Sequence, residues 1–117
     1  MITSQSAFSV EDVAAEAGVG LDVLSRECSQ DVLLKLANFC NRWTLVARHL
    51  RLEEHEITAV DDDLKTTDEK RVAMLDKWKE KFAFRATYHV FIEALLAAGR
   101  TQGAIEACKV IGAASSH

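Results

Sequence analysis

The sequence predicts an all-α fold, on three observations. Proline is absent and glycine occurs only five times in 117 residues. Helix formers (Ala, Leu, Glu, Lys and Arg) dominate. No stretch alternates apolar and polar residues for long, whereas apolar residues recur repeatedly at three- and four-residue spacing.

The elements follow in order. "SVEDVAAEAG" reads as a short helix, with Ser9 and Asp12 spaced as a capping box and Gly18 as the stop. "VGLDVLSRECS" is ambiguous between loop and helical turn. "QDVLLKLANFC" places Leu33, Leu36, Ala37 and Cys40 on one helical face. Asn41 suits the cap of the next helix, where Trp43, Val46, Ala47 and Leu50 form an apolar stripe at i, i+3, i+4, i+7. A short helix over Glu53 to Val60 turns Ile57 and Val60 inward, with its acids in the first turn where the helix dipole favours them.

"DDDLKTTDEK" is a polar turn, and Thr66 with Glu69 forms a second capping box. The helix after it runs to about Phe82, with Val72, Leu75, Trp78 and Phe82 inward. Ala86 to Ala98 form an apolar helix facing the core through Phe91, Ile92, Leu95 and Leu96, and Gly99 ends it. Thr101 can cap a last helix with Ala104, Ile105, Cys108 and Ile111 inward. The expected organisation is an N-terminal extension over 1–30, partly helical, a bundle over 31–112, and a frayed tail over 113–117. Short connections favour roughly antiparallel neighbours, and no fixed-period repeat points to a solenoid.

Composition narrows the function. The hydrophobic share of 49% and charged share of 27% suit a single globular domain with a real core. Aromatics are 7%, so that core is mainly aliphatic. The formal net charge of −4 argues against a nucleic-acid binder. "KRVAMLDKWKEKF" has the charge for one but lacks interleaved exposed aromatics. No apolar run approaches the ~18–20 residues of a membrane span, so no membrane insertion is expected in this segment. "MITSQSAFSVED" has no basic region followed by an apolar one, so no signal peptide is expected there.

Cys28, Cys40 and Cys108 are odd in number and at no metal-ligand spacing, and read as reduced, partly buried thiols. His49, His55 and Cys40 make no paired metal motif. Nothing suggests Cys28 or Cys108 as a nucleophile with His89. Neither "GVG" at 18–20 nor "GRTQG" at 99–103 has the strand, lysine and spacing of a phosphate loop. No cofactor, metal or catalytic residue is expected.

The ordered set Trp43–Leu52, Ile57, "MLDKWKEKF", "ATYHVFIEALLAAGR" and "AIEACKVI" resembles the death domain family. That family's second helix commonly reads W-x-x-L/V-A-x-x-L, matched by Trp43, Val46, Ala47 and Leu50. Its fourth helix commonly ends in a leucine–tryptophan pair, matched by Leu75 and Trp78. Its fifth commonly begins Ala-Thr, matched by Ala86 and Thr87 and followed by Ile92, Ala94 and Leu95. The likeness spans roughly residues 31 to 111. Where the family often has a glycine after the second helix's last leucine, this chain has Arg51. The resemblance implies a six-helix antiparallel Greek-key bundle, the death fold, with residues 1–30 as an appended extension. The core would hold Leu36, Trp43, Val46, Ala47, Leu50, Ile57, Leu75, Trp78, Ile92, Leu95 and Ile105.

It also implies a non-enzymatic module of signalling, of the apoptotic, inflammatory or innate-immune kind, that docks on another death domain or on itself. A cytoplasmic location follows, in a soluble or a membrane-tethered parent protein. Residues 61–69 have net charge −4, and residues 70–85 net charge +4. Such segregation permits head-to-tail contacts. The interface candidates are Arg48, Arg51, Glu54, Asp62, Asp63, Lys77 and Lys81, all free by helical phase to face water. Two rival readings are a helical support module without a death-domain partner and a small helical thiol or metal protein. A third, a death-effector or caspase-recruitment domain, is opposed by the tryptophan-led second helix.

Overall fold

The computed structural model describes residues 9–115, and the first part of the N-terminal extension and the last two residues of the tail lie outside them. Eight helices follow in order: α1 (Val10–Ala17), α2 (Leu21–Leu24), α3 (Gln30–Leu36), α4 (Trp43–His49), α5 (Glu54–Asp63), α6 (Thr67–Phe82), α7 (Tyr88–Ala97) and α8 (Thr101–Ser115). Short 3-10 turns at Ala37–Phe39 and Ala83–Arg85 continue α3 and α6. No strand occurs among the described residues. An isolated antiparallel bridge joins Glu27 to Thr87.

Local chemistry sets most boundaries. The Ser9 hydroxyl accepts from the Asp12 amide while Asp12 accepts from the Ser9 amide, closing the capping box of α1. Thr66 and Glu69 do the same for α6. Ser29 and Thr87 cap α3 and α7 through the amides of Val32 and Val90. At the end of α7, Gly99 takes φ +79°. Its amide donates to Leu96, and that of Arg100 donates to Leu95, the paired bonds of a Schellman ending.

Four boundaries differ from the sequence reading. Asn41 does not cap α4: the cap position is Arg42, which supplies no side-chain bond. Helix α5 continues past Val60 to Asp63, and Lys70 pairs with Asp61 at 2.7 Å, offsetting that one acid near the helix's negative end. Helix α7 begins at Tyr88 instead of Ala86, because the Ala86 carbonyl is used elsewhere, accepting from the Cys28 amide at 2.9 Å. Thr101 is already the first residue of α8, which runs on through Ser115, beyond the boundary at 112.

One core joins all of this. Trp78 and Phe91 meet at its centre with ring centroids 6.4 Å apart and tilted by 41°. Leu36, Trp43, Val46, Ala47, Leu50, Ile57, Leu75, Ile92, Leu95 and Ile105 are buried around them, together with Met74 and Ile111. Val72, Phe82 and Leu96 are only partly buried and pack on its margin. Helices α3 to α8 make the six-helix bundle. Helix α1 lies on α8 and α7 and places Val10, Val13 and Ala14 in the same core, and α2 adds Leu24. The approach is close: a Cβ on Gly112 of α8 would stand 2.7 Å from the Val19 side chain. Backbone bonds from Cys28 to Ala86 and from Tyr88 to Arg26 latch the joint, and the Tyr88 hydroxyl accepts from the Ser29 amide.

Candidate interaction surface

The corner between α4 and α5 begins with a strained turn. Arg51 takes φ +72°. Its amide donates to Arg48 at 3.0 Å and the Leu52 amide reaches back to Ala47 at 3.0 Å, again a Schellman ending. The buried Leu52 anchors the turn from below. Arg51 thus does the backbone work usually left to glycine, and its side chain is carried on an exposed residue.

Charged side chains converge here. The Arg48 guanidinium donates twice to the Glu54 carboxylate, at 2.6 and 3.3 Å, and holds that carboxyl below its usual range. Lys81 reaches across from the end of α6. It donates to Glu56 at 2.8 Å, lies 3.8 Å from Glu53, and donates to the Arg51 carbonyl at 3.5 Å. Glu56 also accepts from the Glu53 amide at 2.9 Å. That bond first, and Lys81 second, lower its pKa. Four candidates, Arg48, Arg51, Glu54 and Lys81, therefore lie together.

The other three lie apart from that corner. Asp62 and Asp63 are exposed at the far end of α5, about 12 Å along the helix from Glu54. Lys77 stands one turn before Lys81 on α6 and is half-buried. Among the described residues Asp62, Asp63 and Lys77 form no ion pair or side-chain hydrogen bond, in contrast to Arg48, Glu54 and Lys81. The bonds Lys81–Glu56 and Lys70–Asp61 join opposite ends of α5 and α6, so the two helices run antiparallel and are clamped at both ends.

Sequence reasoning missed several features. Phe84, on the turn after α6, is 75% exposed, the most open large apolar side chain described. A cavity of about 420 Å³ opens beside the α4–α5 corner, lined by His49, Arg51, Trp78, Phe82, Arg85 and Glu93 among others. Helical phase does not place Phe84, because α6 ends at Phe82. The three cysteines are free and buried. Burial pushes the Cys28 and Cys40 thiols up to about 12 and raises Cys108 as well. No cluster of three His, Cys, Asp or Glu side chains suited to a metal occurs among the described residues. No described helix is long and apolar enough to cross a membrane.

The family model for the death domain matches residues 30–109. The chain belongs to the death domain family. Searches of curated proteins and of solved structures found no significant match. Helices α3 to α8 are the six helices of this death domain, while α1 and α2 precede the matched span. Death domains are protein–protein interaction modules.

Proposed function

We propose that this death domain is a non-enzymatic signalling module of the apoptotic, inflammatory or innate-immune type. It acts on the cytosolic side by homotypic docking, on another death domain or on itself. Clustering then raises the local concentration of whatever the parent protein tethers.

The observation that supports this reading most is the end of α5. Asp62 and Asp63 stand exposed at the negative end of the helix dipole with no cation against them. That placement costs about 0.3–1 kcal/mol each. On another copy, Lys77 and Arg51 present complementary charge outside the α5–α6 clamp. Such opposed patches set specificity and encounter rate.

The test separates association from folding. Replacing Asp62 and Asp63 by Lys relieves the helix end and raises unfolding stability by about 0.5–2 kcal/mol in total. The same double variant weakens binding to the protein itself or to candidate death domains by about tenfold or more at low salt. Lys77→Glu weakens binding with little change in melting temperature. Equal loss of stability and association in these variants would assign the residues to the fold and favour a purely supporting helical module.

A further inference from the structure

Phe84 and the outer face of α6 form a matched knob and groove. The knob sits on the turn Ala83–Arg85, where Ala83 takes φ +53°, outside ordinary L-residue territory. This bend ends α6 and turns Phe84 into solvent, 75% exposed. The basic residues Lys79 and Arg85 are near it in the chain. Arg85 lies over the neighbouring Phe82 ring at 5.7 Å, and so does Lys81, whose charge is already paired with Glu56.

The groove lies toward the opposite end of α6. Its floor is the partly buried Leu64, Val72 and Ala73, and its rim is Asp68, Glu69 and Asp76. The space is a shallow depression of about 420 Å³, wide open to solvent. The rim carboxylates are held in place by the molecule itself. Asp68 pairs with Arg71 at 3.2 Å, Glu69 accepts from the Thr66 amide, and Asp76 accepts from Gln30 at 2.6 Å. An apolar floor with an acidic rim complements an exposed phenylalanine that has Lys79 and Arg85 near it in the chain.

We propose that Phe84 of one copy docks in the Leu64–Val72–Ala73 groove of a second copy of this chain. It rests on the homotypic reading for its class of partner, but turns on Phe84 and an apolar floor, not on Asp62, Asp63, Lys77 or Arg51. Phe84 cannot fill its own groove, because knob and floor stand about 15 Å apart along α6. The contact is heterologous, joining two different surfaces, and every docked copy leaves one knob and one groove free. Assembly therefore extends in an open row unless the rotation closes it.

The experiment is molar mass by light scattering on the full chain with reductant, across concentration and from low to physiological salt. The wild type grows beyond the monomer, more so at low salt. Phe84→Asp removes the knob and Ala73→Arg fills the groove, and each alone weakens self-association by at least about tenfold. Mixing the two restores one live knob and one live groove, giving a 1:1 dimer that stops at two. Should Ala73→Arg disturb folding, Asp68→Lys with Asp76→Lys replaces it, since both side chains are exposed.

A wild type that stays monomeric throughout, or growth that Phe84→Asp leaves intact, overturns the inference. In the second case, loss of growth in the Asp62→Lys, Asp63→Lys variant would leave the homotypic reading standing. Binding of a different death domain by the monomeric wild type would do so in the first.

Discussion

Arg51 holds a left-handed backbone at φ +72° and closes the Schellman turn between α4 and α5. A non-glycine residue there is strained by about 1 kcal/mol. Arg51→Gly is therefore expected to raise stability by about 0.5–1 kcal/mol, read as a higher urea midpoint at unchanged slope. Trp78 shows the opposite sensitivity. It is 1% exposed and touches Phe91 at the centre of the core. Trp78→Ala should cost about 3–5 kcal/mol, measured the same way. Trp78 was legible because period 3.6 reports burial. The left-handed turn was visible only as a departure, an arginine where the family often has glycine, since side-chain patterning is blind to the sign of φ. Ala83 gave no comparable signal, and neither did the exposure of Phe84 that follows from it.

At the scale of elements, α5 and α6 behave as a clamped pair. Their sequence shows only a block of acids followed by a block of bases. The structure shows which of these are spent inside the molecule: Glu56 with Lys81 and Asp61 with Lys70. Pairing of this kind depends on how two helices cross, and charge order along the chain does not contain it. The same clamp lets α5 run on to Asp63, one turn further than apolar spacing alone indicates.

The clamp also has a pH signature. Glu56 has a lowered pKa in the folded state, from an ordinary 4.5, through the Glu53 amide and Lys81. A depressed carboxyl contributes stability that is complete above its unfolded pKa and is lost as pH falls through the folded value. Unfolding stability should thus decline on acidification below about pH 4.5, and less steeply in Glu56→Gln. Chemical unfolding at stepped pH checks this. Parallel acid limbs in the two proteins would place the acid sensitivity elsewhere.

On the scale of the whole molecule, the family match begins at residue 30 but the core does not. Val10, Val13 and Leu24 are 4%, 0% and 0% exposed and share one cluster with the bundle. Removing residues 1–28 should lower stability by about 5 kcal/mol, from the burial of three aliphatic side chains at about 1.5–3 kcal/mol each. That is comparable with the whole stability of a small domain. The truncated chain should show a broadened thermal transition and bind a hydrophobic dye, and an unchanged transition would show α1 and α2 to be dispensable. The capping box at Ser9 made α1 legible as a helix. Its attachment was not, because it depends on a latch between residues about sixty apart, Arg26–Ser29 with Ala86–Tyr88.

The buried thiols turn that architecture into something that can be timed. Cys28 lies under the latch, Cys40 follows the 3-10 turn after α3, and Cys108 lies within α8. A thiol reacts only as exposed thiolate, which burial with a pKa of about 12 at Cys28 and Cys40 nearly eliminates. Each modification by an alkylating reagent must then wait for its own part of the protein to open. The native chain holds three stopclocks, and the order in which they are labelled would chart which joint yields first.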